Sequence, residues 1–119
     1  HEEICTYEVC KLAKEKGFPT EEIKSWHYEY DGCPTKEIID EHQYPNITQS
    51  LLQRWLREEK GIHISLEYEW VEGVDDWTFW SYIKKINNAK VVDDAIKSGF
   101  NTYELALEDA LKYALENLV

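Results

Sequence analysis

Residues 62–70 read Ile-His-Ile-Ser-Leu-Glu-Tyr-Glu-Trp. Ile62, Ile64, Leu66, Tyr68 and Trp70 alternate with His63, Ser65, Glu67 and Glu69. Successive side chains of a strand point to opposite faces, so this pattern demands a strand with one buried and one wet face. Gly73 to Asp76 supply a turn. A second strand over 77–86 places Trp77, Phe79, Ser81 and Ile83 on one face and Thr78, Trp80, Tyr82, Lys84 and Ile86 on the other. Both faces carry large apolar groups, so this strand is central in its sheet or has a cover on its second face. Asn87-Asn88 makes the next turn. The rest of the chain must pack around this hairpin.

The flanking segments read mostly as helices. Thr6 is the expected N-cap of a helix from Tyr7 to Lys16, with Glu8 near its positive end. Val9, Cys10, Leu12 and Ala13 form its apolar stripe, Gly17 stops it, Phe18 folds back and Pro19 bars continuation. A strand is expected over 24–31, where Trp26, Tyr28 and Tyr30 alternate with His27, Glu29 and Asp31. Asp31-Gly32 makes a turn closed by Cys33-Pro34, and Glu37 to Asp40 suit either a short strand or one helical turn. The next helix starts at the N-cap Thr48, with Ile47 packing on Leu52 as a hydrophobic staple. Leu51, Leu52, Trp55 and Leu56 form its inner face, Arg54 and Glu58 pair outside for about 0.3 kcal/mol, and Gly61 is the stop. Over 90–100, Val91-Val92 suit a strand and Asp94 to Lys97 a helical turn, with Ser98-Gly99 as a break. The last helix is expected from Thr102 to Leu118. Asn101 and Glu104 form its capping box, and Tyr103, Ala106, Leu107, Ala110, Leu111, Ala114 and Leu118 form its stripe.

This order gives a single α+β domain over 1–119. An antiparallel sheet of three or four strands carries about three helices on it, in helix–hairpin–helix order through the C-terminal two-thirds. Double-stranded-RNA-binding-like folds share that order, which by itself carries no function.

Composition limits the function classes. The 119 residues are 43% hydrophobic and 13% aromatic, which excludes general disorder, and no apolar run is long enough to span a membrane. The net charge of −11 opposes broad nucleic-acid binding. Residues 62–76 hold five acidic groups and no basic one, whereas 77–90 hold Lys84, Lys85 and Lys90 and no acidic one. Cys5, Cys10 and Cys33 are an odd set without metal or redox spacing, and they read as reduced, partly buried thiols. His1-Glu2-Glu3-Ile4 offers no apolar secretory segment, so the expected location is the cytoplasm. Asn46-Ile47-Thr48 reads as a helix entry rather than a glycan site.

No nucleophile elbow, zinc-protease, phosphate-loop or dinucleotide motif occurs, so no catalytic, cofactor or metal residue is assigned. His27 and His63 sit on strand faces opposite the aromatics, and His42 is scattered from both. Glu67 and Glu69 form a solvated face or a docking surface for a basic partner. The aromatic strand is core on one face and an interface on part of the other. The candidate interaction surface is therefore Trp70, Trp77, Trp80, Tyr82, Glu67 and Glu69. It suits a protein partner of basic character or a second copy of the chain. A nucleic-acid module using 77–90 and a small enzyme with an unrecognised site are the alternatives.

Four stretches carry a resemblance: Lys14-Glu15-Lys16-Gly17-Phe18, Thr48 to Glu58, Gly61-Ile62-His63-Ile64 and Tyr103 to Leu111. Together they resemble small uncharacterised proteins of Bacteroides-type gut bacteria and their phages and prophages. That group has no assigned activity, so the resemblance implies an accessory protein of phage or mobile-element type and carries over no functional residue.

Overall fold

The computed structural model describes residues 3–21, 23–28 and 43–119. In chain order the elements are α1 (Tyr7–Glu15), β1 (Trp26–Tyr28), β2 (Gln43–Pro45), α2 (Gln49–Lys60), β3 (Ile62–Val71), β4 (Asp76–Asn87), β5 (Lys90–Phe100) and α3 (Tyr103–Asn117). β3, β4 and β5 form an antiparallel sheet with β4 in the centre, as its two apolar faces require. β1 and β2 form a separate antiparallel pair, with Trp26 opposite Pro45. The fold is α+β. The Glu37 to Asp40 segment and the Asp31-Gly32 turn lie outside the described residues.

The helix ends follow local chemistry. Thr6 caps α1 by accepting from the Val9 N–H, and its C-terminus closes as a Schellman turn. There Gly17 takes φ +97°, the Phe18 N–H donates to the Ala13 carbonyl at 3.0 Å and the Gly17 N–H to that of Lys14 at 3.2 Å. Thr48 caps α2 through the Leu51 N–H at 3.2 Å. Ile47 and Leu52 are both fully buried in one core cluster, as the staple requires. Two expectations are corrected here. Leu51 is 41% exposed rather than on the inner face, and Gln49 is buried in its place. Thr102, not Asn101, caps α3, because its extended backbone aims the hydroxyl at the Leu105 N–H, 3.1 Å away.

The core lies between one face of the sheet and the helices. Ile62, Ile64 and Ile83 meet Leu52 and Leu56 of α2 and Leu107, Leu111 and Leu115 of α3. Each such fully buried side chain contributes about 1.5–3 kcal/mol. Ala106, Ala110 and Ala114 have no exposed surface and let α3 lie close to the sheet. Lys85 leaves the same face and donates to the Leu118 carbonyl at 2.6 Å. α1 is tied in by Glu108 of α3. One carboxylate oxygen accepts from the Thr6 N–H (2.8 Å) and hydroxyl (2.7 Å), and the other accepts from the Gln49 amide at 2.9 Å.

The ambiguous segment 90–100 is one strand. Its pairing with β4 shifts register between Phe79 and Ser81 and again between Lys85 and Ile86. These bulges break the two-residue period that would have identified a strand. Asn88 and Ala89, both at positive φ (52° and 62°), form the β4–β5 turn. No helix among the described residues is long and apolar enough to cross a membrane.

Candidate interaction surface

β3 pairs with β4 so that Val71 faces Asp76 across the loop, Glu67 faces Trp80 and Trp70 faces Trp77. This register divides the six candidate residues between two faces. Trp70 and Trp77 lie on the helix side with Tyr68 and Phe79. Glu67, Glu69, Trp80 and Tyr82 lie on the opposite side, which no described helix covers.

On the helix side, cover ends near Leu66 and Ser81. Beyond them Tyr68, Trp70 and Trp77 are each about half exposed. The rings pack mainly on one another: Tyr68 stacks on Trp77 at 5.3 Å, Trp70 meets Trp77 edge-on at 6.0 Å, and Tyr68 lies 4.6 Å from Phe79. Tyr103 of α3 touches Phe79 edge-on at 6.3 Å. Cross-strand aromatic pairs of this kind stiffen a hairpin by about 0.2–1 kcal/mol each.

The bare side is a mixed acidic and aromatic surface. Trp80 and Tyr82 stack with centroids 6.5 Å apart and planes 18° apart. The Tyr82 hydroxyl donates to Glu69 Oε1 at 2.9 Å. That bond, then burial and the Glu69 and Glu67 charges, raise the Tyr82 pKa above the ordinary phenol range. Glu67 stands directly opposite Trp80. On β5, Ile96 faces Tyr82 and Asp94 faces Lys84, while the bulge holding Gly99 lies opposite Trp80. Trp80 Nε1 and Thr78 Oγ1 are shielded within this layer and have no hydrogen-bond partner among the described residues.

The other candidate chemistries do not assemble. His63 faces Lys84 on the bare side, and His27 lies with its ring 5.3 Å from Tyr7 in the β1–β2 region. No group of three or more His, Cys, Asp or Glu able to hold a metal occurs among the described residues. Cys33 and His42 lie outside them. Cys5 and Cys10 are buried, and Cys10 Sγ lies 3.6 Å from the Cys5 carbonyl while accepting from the Ile47 N–H at 3.5 Å. The hydrogen bond to Cys10, burial and the nearby Glu108 carboxylate push the Cys5 thiol far above the ordinary range, so it behaves as a core group. A cavity of about 270 Å³ opens between the N-terminal ends of α2 and α3, lined by Gln49, Gln53, Tyr103 and Glu104. Another of about 370 Å³ is lined by Phe18, Pro19, Ile23 and Leu51. Neither is lined by histidine or cysteine.

Sequence reasoning found both surfaces but joined them. The face of each residue within its own strand was visible from the alternation; the pairing between strands was not. Thr78 was placed on the face of Trp80 and Tyr82 but not singled out as a site residue, and Gly99 was missed, because neither residue type signals a contact surface alone. Comparison with protein-family models, curated proteins and solved structures finds no match.

Proposed function

We propose that this chain is a non-enzymatic protein-binding module whose bare sheet face takes a basic segment of a partner protein. In the setting implied by the sequence resemblance, it serves as an accessory protein of phage or mobile-element type. The observation that carries the reading is the placement of Trp80 and Tyr82 on the uncovered face beside Glu67 and Glu69. An arginine side chain suits such a surface on two counts. Its guanidinium stacks on an indole, and it pairs in two-pronged fashion with a carboxylate. The chain's charge of −11 attracts the same partner from a distance.

The same face argues against a nucleic-acid role. Lys84 is the one lysine on it among the described residues, and it stands opposite Asp94 while Glu67 and Glu69 repel phosphate. An aromatic sheet that stacks bases needs a basic surround.

The test uses an arginine-rich peptide, an acidic peptide of equal length and a single-stranded oligonucleotide, each titrated against the labelled protein by NMR. The expected result is binding of the arginine peptide alone, weakened by salt, with shifts centred on Trp80 and Tyr82. Trp80→Ala and the pair Glu67→Gln with Glu69→Gln should each weaken it by tenfold or more, about 1.4 kcal/mol. Binding untouched by these substitutions, or no binding at low salt, would overturn the assignment. Preference for the oligonucleotide would favour the nucleic-acid reading instead.

A further inference from the structure

The two outer edges of the sheet are managed differently. On β3 the Gln53 side-chain amide of α2 donates to the Ile64 carbonyl at 2.9 Å, which occupies part of that edge. β5 pairs with β4 on one side, and no described strand pairs with its other side. An exposed strand edge is a template for a further strand unless something blunts it. Here the two register shifts bracket the edge, one near Val92 and one near Ser98-Gly99. Between them lies one regular run, Asp93 to Lys97.

From these observations we infer that the chain forms a dimer by antiparallel pairing of β5 with β5 of a second copy, centred on Ala95. A two-fold axis perpendicular to the sheet leaves each face on its own side. Only residues of one face can then meet. Asp93, Ala95 and Lys97 face the helix side, opposite Lys85, Ile83 and Ser81 of β4. Centring on Ala95 uses the whole regular run and sets Asp93 of each copy against Lys97 of the other. Centring on Asp94 would instead oppose two like charges. The charge pattern is thus self-complementary in one register, and opposite charges directly across a strand pair stabilise it whereas like charges disfavour it. Neither Lys97 nor Asp93 joins a salt bridge among the described residues, and the Lys97 ammonium, which lies 4.8 Å above the Tyr113 ring in the single chain, would turn to Asp93 of the second copy. Ile96, 62% exposed, would be shielded beside the new strand. The pairing would also join the bare faces of the two copies into one surface, although it does not depend on what binds there.

Charge exchange tests both the interface and the register. Light scattering on the wild type should give twice 14.1 kDa at high micromolar concentration. Asp93→Lys and Lys97→Asp should each give the single-chain mass, because each sets like charges opposite one another. An equimolar mixture of the two variants should recover the doubled mass as a heterodimer, and the double variant should recover it alone. Circular dichroism checks that each variant is folded. A wild type that stays at the single-chain mass, or folded single variants that stay dimeric, would overturn the inference. Loss of the dimer in both singles without recovery in the mixture would overturn the Ala95 register.

Discussion

Gly61 joins α2 to β3, and replacing it with alanine should be among the costlier single-methyl additions in this protein. Two effects combine. Its φ is +67°, and a left-handed backbone costs an L residue about 1–2 kcal/mol. A Cβ built there would also stand 2.5 Å from the Ile86 carbonyl oxygen, so one backbone must move by about half an ångström. The Ile86 N–H donates to the Gly61 carbonyl at 2.8 Å, and disturbing that bond adds about 1 kcal/mol. The expected loss is about 2–4 kcal/mol, or roughly 8–15 °C in Tm for a domain of this size. Gly17→Ala is the control. It has φ +97° but no described atom within 4 Å of the added one, so it carries a backbone cost without a clash, at least about 1–2 kcal/mol. Unfolded-state stiffening by alanine applies to both and cancels in the comparison. Urea unfolding followed by circular dichroism, with the slope unchanged, gives both values. A loss at Gly61 of no more than the backbone cost, about 1–2 kcal/mol, would refute the reasoning, because the close approach to Ile86 would then contribute nothing.

Three further outcomes are expected. Ala89→Gly should stabilise the protein by about 0.5–1 kcal/mol, because Ala89 sits at φ 62° in a two-residue turn that favours Asn-Gly; a lower unfolding midpoint would contradict this. Glu108→Ala should cost about 2 kcal/mol, since its carboxylate accepts from Thr6 twice and from Gln49; an unchanged urea midpoint would show that this junction contributes little. Ultraviolet titration of the tyrosines should show a high-pH component that Tyr82→Phe removes and Glu69→Gln moves down toward the ordinary phenol range. The folded pKa of Tyr82 is raised, so its contribution to stability is full below the ordinary tyrosine pKa and is lost as pH climbs through the raised value.

Much of this fold was legible because its signals are local. The alternation at 62–70 gave β3, and the apolar groups on both faces of 77–86 placed β4 in the centre. Thr6, Thr48, Gly17 and Gly61 marked helix ends through chemistry that acts within a few residues. Two kinds of feature were hidden. Where Asn101 and Thr102 stand side by side, either can cap, and the backbone direction leaving β5 decides between them. In β5 itself, two bulges interrupt the alternation, and a bulge is set by the partner strand rather than by the segment. The candidate surface divides between two faces for a related reason. Glu67 and Trp80 share a face only because the loop joins Val71 to Asp76, and a one-residue slip would have put Trp80 with Tyr68 and Trp70. Leu51 shows a further limit: helical periodicity gives a stripe, whereas its centre depends on how the helix rolls against the sheet.

The Trp70–Trp77 pair has an optical consequence. The two indoles are 6.0 Å apart with planes at 68°, close and skewed enough for their electronic transitions to couple. Such a pair gives a split circular-dichroism band from the aromatic chromophores themselves, separate from the backbone signal. The hairpin tip, which no described helix covers, thereby carries its own built-in gauge. Its fraying can be followed on heating without a label, while the helix signal reports the core.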